Sequence, residues 1–285
     1  MWSINPKDLV IITNFYKLSF TNQFMKKRNC ICNHRKIGQV SIFIVLGVMI
    51  IFGVAIFLFF GGDLLKNIKV SSSEAKAVHD FTQDCIKQTG IEAIYQVGQT
   101  GGYYVTPKES YITDFSSENN IAYYLLNGEN LIPSKGKVQE ELSQYVDEFT
   151  SSCIDDFYNF EGIQISAGEI QTKTKIEEDK VIFDVFYPIK ITKEDRTYSY
   201  KDFRIEVPVR LGYIYDTAYE IMESQMEKTD AICISCLKRI SDEKGISVNM
   251  FEGGNKNVIF GIRDEKSKIY DGAYMFYFVN NYGAV

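Results

Sequence analysis

The sequence predicts an α+β fold: an antiparallel sheet of about five to six strands, with amphipathic helices packed on it, following one N-terminal transmembrane helix. Three observations predict it. Between Ile170 and Val209 the apolar residues recur with a period of two, in runs separated by short polar turns, which is the pattern of antiparallel strands with one buried face. After them Leu211, Ile214, Tyr215, Ala218, Ile221, Met222 and Gln225 fall on one helical face. Ahead of both, residues 41–60 contain neither a charge nor a proline. At about 1.5 Å per residue such a run spans roughly 30 Å, the thickness of a bilayer's hydrocarbon core.

The elements follow in chain order. Residues 1–38 form a basic leader with seven Lys/Arg and one acid, a net charge of +6; the remainder carries 24 Lys/Arg and 36 Asp/Glu, a net charge of −12. Five cations lie between Lys26 and Lys36, while Gly61-Gly62-Asp63 opens the far flank. The positive-inside rule then places the leader in the cytoplasm and the large C-terminal part outside. Met25 begins a compact basic leader directly before the span, so residues 1–24 are expected to be a start-site extension. Residues 61–72 read as a linker, 73–160 as a mainly helical segment and 161–285 as the sheet part.

Within the helical segment, Ser73 is placed to cap a helix over 74–89 that stops at Gly90, and a short helix over 92–97 is expected before Gly101-Gly102. Residues 103–105 and 121–126 read as strands, and Pro133-Ser134 opens a helix over 138–149 that continues toward Phe157. In the sheet part, strands over 170–176, 181–191 and 203–209 form a meander, and Pro208 marks a strand end. Helices over 211–227 and 233–244 follow, then strands over 247–251, 258–263 and 273–279, with Gly253-Gly254 as a hairpin turn.

The entrance to the apolar run carries a second signal. Arg35-Lys36-Ile37-Gly38-Gln39-Val40-Ser41-Ile42-Phe43 resembles the class III signal peptides of archaeal type IV pilin-like proteins, over residues 35–60 only. The resemblance implies cleavage between Gly38 and Gln39 by a prepilin-type peptidase on the cytoplasmic side, with the apolar helix kept as anchor or filament core. It also implies the lipid bilayer and envelope or pilus components as partners. Ile37 stands where that family commonly has a basic residue. Phe43 stands where it often has a glutamate used in filament assembly, which favours a pilin-like membrane protein over a major filament subunit.

Six cysteines are present. Cys30, Cys32 and His34 crowd into five residues of the leader, short of paired zinc spacing, and read as free thiols in a cytoplasmic tail. Cys85, Cys153, Cys233 and Cys236 lie outside, where an even number implies two disulfides with three pairings open. A four-cysteine zinc site is the structural alternative. Cys233-Ile234-Ser235-Cys236 is also a C-x-x-C motif, the basis of an alternative reading as an anchored thiol–disulfide oxidoreductase. Against that reading, a helix and the acidic stretch Glu227-Lys228-Thr229-Asp230 precede it, and an acidic neighbourhood disfavours a thiolate.

Other chemistry finds little footing. The acidic bulk argues against nucleic acid as a partner. His79 is the one exterior histidine, and Asp80 beside it is not spaced to meet it on a helix. No G-x-S-x-G, H-E-x-x-H or P-loop pattern occurs. Asp155-Asp156 and Glu177-Glu178-Asp179 read as solvated helix ends and turns. The tyrosines and phenylalanines at 103–104, 123–124 and 270–282 read as sheet core, or else as a contact surface. The sequence thus predicts a non-enzymatic, membrane-anchored extracytoplasmic protein with no cofactor.

Overall fold

The computed structural model describes residues 47–50, 73–113, 119–226 and 231–283. The Gly38-Gln39 junction, the leader and most of the expected span over 41–60 lie outside them; residues 47–50 are helical. Among the described residues no helix is long and apolar enough to cross a membrane. Residues from Val70 to Val285 belong to one compact unit, the α+β domain described below.

A 28-residue helix, α1 (Ser73–Thr100), runs along two sheets. Its inward stripe is built from small and β-branched residues, among them Ala75, Val78, Thr82, Ile86, Ala93, Ile94 and Val97, so the helix axis lies close to what it packs on. The buried hydroxyls of Thr82 and Thr89 donate to the carbonyls of Val78 and Cys85, four residues back, at 2.8 and 3.0 Å. Polar atoms are thereby satisfied without leaving the helix. The expected stop at Gly90 does not occur. Gly90 lies inside α1 with the Phe183 ring so close that an added Cβ would sit 2.9 Å from it. Its missing side chain serves packing, which outweighs its poor helix propensity. The single helix continues through 92–97 to Thr100.

The chain then turns at Gly101 and Gly102, both at positive φ (77° and 92°). Residues 103–105 were expected as a strand but form a loop. The buried Glu141 carboxylate accepts the backbone N–H groups of Tyr104 (2.8 Å) and Val105 (3.0 Å), taking the place of a neighbouring strand. Glu141 lies on α2 (Lys135–Ile154), which starts where Ser134 caps the Lys137 N–H. A 3₁₀ turn over Asp155–Phe157 follows it.

The expected single antiparallel sheet is instead two sheets. The first has six strands: β1 (Tyr111–Thr113), β2 (Asn120–Leu126), β3 (Glu129–Asn130), β8 (Ser247–Glu252), β9 (Asn257–Ile269) and β10 (Gly272–Asn281). Its path is β1-β2-β10-β9-β8, with β3 on β2. β10 pairs with β2 in parallel, so the sheet is mixed. This pairing joins residues about 150 apart in sequence, which local periodicity does not register. Tyr124, Phe260 and Phe278 stack across these strands at 4.7 and 5.1 Å between ring centres.

The second sheet has four antiparallel strands: β4 (Gln164–Ala167), β5 (Gln171–Ile176), β6 (Val181–Lys193) and β7 (Arg196–Val207). β6 is central and β7 pairs along it. β4 and β5 share its other side in line, separated where Gly168 packs on Pro188. The expected alternation is present: Val181, Phe183, Val185, Ile189 and Ile191 point inward, and Asp184, Phe186 and Lys190 outward. The free edge of β5 is covered by α2. Ser143 Oγ accepts the Thr174 N–H (3.1 Å) and Gln139 Oε1 the Ile176 N–H (3.0 Å), which blocks pairing with a foreign strand.

Two helices complete the unit, α3 (Leu211–Met226) and α4 (Ile234–Lys244). The predicted α3 stripe is buried, Gln225 included. At its start Gly212 meets the β5–β6 turn so closely that an added Cβ would lie 2.3 Å from the Glu177 carbonyl oxygen. Backbone cannot swing aside as a side chain does. Gly212→Ala should therefore cost about 1–3 kcal/mol, read as a lower midpoint in thermal unfolding followed by circular dichroism.

Candidate functional site

The four cysteines after the expected span pair as Cys85–Cys153 and Cys233–Cys236. This removes the four-cysteine zinc alternative, since every sulfur is taken by another, and it selects one of the three pairings. Cys85 is buried on α1 and Cys153 is exposed in the last turn of α2, with Cα atoms 5.6 Å apart and 68 residues between them in sequence. The bond closes the largest covalent loop in the unit and ties the two helices that carry the sheets.

Cys233–Cys236 is of a different kind. It links residues three apart and both cysteines are half-buried. Cys233 is the N-cap of α4: its Sγ accepts the Cys236 backbone N–H at 3.3 Å, and its carbonyl accepts from Leu237. A side-chain acceptor at this position satisfies one of the free amides of a helix start, where the helix dipole favours negative charge. The first turn of α4 holds no acid, and the exposed Ile234 and Ser235 flank the pair. The acids that precede the motif in sequence disfavour a thiolate. The structure adds a helix start directly after Cys233, whose dipole favours a thiolate there. Glu227 to Asp230 lie outside the described residues.

Beneath the motif lies a buried polar chain. Gln225 Oε1, on α3, accepts the Cys233 N–H (3.0 Å) and the Tyr282 hydroxyl (3.2 Å), and Asn280 Nδ2 donates to the Tyr282 oxygen (3.3 Å). Burial pushes the Tyr282 phenol up to about 12. The Gln225 side chain thus fixes the N-terminus of α4 from the end of α3. A glutamine on an otherwise apolar stripe was the sequence signal for such a partner, although the stripe alone does not name Cys233. At its other end α4 is held by Tyr213, whose hydroxyl donates to the Lys244 carbonyl (2.8 Å), and Gly245 caps it in the left-handed region.

His79 corrects one expectation. Its Nδ1 lies 3.2 Å from Asp80 Oδ1, and its ring packs against Tyr200 and Phe203 of β7. Side chains on a helix lean toward its N-terminus, so the Asp80 carboxylate reaches both the neighbouring His79 and Lys76 one turn back. The ring is a packing element between α1 and the second sheet.

A largely buried ion pair ties the segment between β7 and α3 to β9. Asp264, on β9 and fully buried, receives Arg210 Nε (2.9 Å) and Nη2 (2.5 Å), the Ser267 hydroxyl (2.6 Å) and the Lys266 N–H (3.1 Å). Burial pushes the Asp264 carboxyl up, but the guanidinium, the hydroxyl and the amide outweigh it and hold it below the ordinary carboxylate range. Neither residue stood out in the sequence, because the pair forms across 54 residues.

An aromatic surface lies on the α1–α2 side. Tyr104, Tyr145 and Phe149 touch edge to face and tilted, with ring centres 4.5 to 5.7 Å apart; exposed Tyr95 meets exposed Tyr270 at 5.7 Å. Of the aromatics expected as sheet core, Tyr124, Tyr274, Phe276 and Phe278 are buried on β2 and β10, whereas Tyr104 lies in the 103–105 loop and exposed Tyr270 in the β9–β10 turn. Among the described residues no cluster of His, Cys, Asp or Glu has the arrangement of a metal site. No family model, curated protein or solved structure matches the chain.

Proposed function

We propose that the chain is a single-pass membrane protein whose leader lies in the cytoplasm and whose α+β unit lies outside, in a pilin-like structural or contact-making role in the cell envelope. The observation that carries this reading is the Cys85–Cys153 staple in a unit that follows a charge-free run of 20 apolar residues. Disulfides persist in oxidising compartments and are rare in the cytosol, and the charge flanks of the run point to the same side. The contact-making part rests on the exposed rings of Tyr95 and Tyr270, which supply large area at low entropic cost.

The prepilin-type peptidase is the partner that the Gly38-Gln39 junction implies, and the bilayer is the other. The test is limited proteolysis of intact cells or right-side-out vesicles. Protease added outside should digest the α+β unit while the leader stays protected; digestion only after lysis contradicts the orientation. N-terminal mapping of the same material should return Gln39. Another terminus would remove the pilin-like part and leave the anchor standing.

A further inference from the structure

A link between residues three apart restricts the unfolded chain only about half as much as one across 68, so loop entropy accounts for the Cys233–Cys236 pair less well than for Cys85–Cys153. From its placement we infer that Cys233–Cys236 is a thiol–disulfide exchange site, acting on paired cysteines of a second extracytoplasmic protein. Three observations converge on it. Both sulfurs are half-buried at the surface, with exposed Ile234 and Ser235 between them. The Cys233 sulfur already accepts the Cys236 N–H, in the position where a thiolate would be held by the start of α4. The Cys233 backbone is fixed from below by Gln225, so opening the bond leaves the N-cap in place.

The exchange balances as follows. A thiolate of the partner attacks one sulfur of the Cys233–Cys236 bond, which breaks; the displaced cysteine leaves as a thiolate, a state best stabilised at Cys233. A second partner thiol loses its proton and attacks the partner sulfur of the mixed disulfide, releasing the remaining cysteine. The partner's two thiols become a disulfide, Cys233 and Cys236 gain the two electrons, and the two protons end on their sulfurs. The reverse sequence reduces a partner disulfide: the Cys236 thiolate attacks it, and the Cys233 thiolate then attacks the Cys236 sulfur and releases the partner's remaining thiol. Cys85–Cys153 takes no part: Cys153 is exposed, but attack there would have to release a thiolate at Cys85, which is buried within α1's packed face.

The experiment equilibrates the full-length protein in detergent with graded ratios of reduced to oxidised glutathione, traps thiols with iodoacetamide and reads each pair by peptide mass. The expected result is that Cys233–Cys236 opens at a poise where Cys85–Cys153 remains closed and the circular dichroism is unchanged. Opening of Cys233–Cys236 only together with Cys85–Cys153, or only with loss of fold, overturns the inference. A second measurement does not need the exchange equilibrium. In Cys236→Ser, Cys233 should react with iodoacetamide at pH 7 about tenfold faster than an unperturbed thiol, through a midpoint below the usual value of about 8.5. A rate equal to that of an unfolded cysteine peptide overturns it equally.

Discussion

Replacing Cys85 and Cys153 together by serine is expected to remove about 4 kcal/mol of stability, the largest loss from any covalent change in the unit. The bond spans 68 residues, and the closed loop holds the 103–105 loop, β1 to β3 and nearly all of α2. Without it the unfolded chain regains the entropy of that loop, while the native contacts of α1 with α2 have to hold alone. For a domain of this size each kcal/mol moves the thermal midpoint by about 2–4 °C, so the double variant should melt roughly 10 °C lower. Replacing Cys233 and Cys236 should cost roughly 2 kcal/mol by the same loop argument. Differential scanning calorimetry of the two double variants reads the contrast directly; equal losses would mean that loop entropy is not what the long-range bond supplies.

Arg210→Met should cost about 3–5 kcal/mol at pH 7, since it leaves the Asp264 carboxylate buried with no cation. The pH dependence follows from the sign of the shift. In the parent protein the Asp264 carboxyl is held below its ordinary value, so its contribution is present above the unfolded value of about 4 and is lost as pH falls through the folded one. In the variant only the Ser267 hydroxyl and the Lys266 amide still oppose burial, so the carboxyl rises from its value in the parent and protonation relieves the strain of a buried charge. The gap between parent and variant is therefore widest near neutrality and narrows toward pH 4. Adding Asp264→Asn to Arg210→Met removes the charge but keeps an acceptor for Ser267 and Lys266, and should recover more than half the loss. Urea titrations at pH 7 and pH 4.5 check both statements. A gap that stays constant with pH would place the effect in lost packing of the arginine stem rather than in charge.

What the sequence made legible was whatever repeats locally. The period of two in β5 to β7, the apolar stripe of α3, the Pro208 strand end and the Gly253-Gly254 turn are each set by neighbours within a few residues, and each is present. What it hid depends on distant partners. Gly90 reads as a helix stop until Phe183 is seen against it, and 103–105 reads as a strand until Glu141 accepts the amides of Tyr104 and Val105. The parallel pairing of β10 with β2 and the Arg210–Asp264 pair leave no local trace. The candidate site was half legible. C-x-x-C is visible as a motif, but cysteine is not a favoured N-cap residue, so the acids before it drew the reading away from the helix behind it.

The central claim is that the α+β unit lives in an oxidising compartment beyond the membrane and is stapled there. The most direct test extracts the protein from its native membrane, denatures it without reductant in iodoacetamide, and reads the Cys85 and Cys153 peptides by mass. The account predicts one disulfide-joined peptide pair with neither cysteine alkylated. Full alkylation of both would contradict it, because it would show that the unit matures with reduced thiols, as a cytoplasmic domain does.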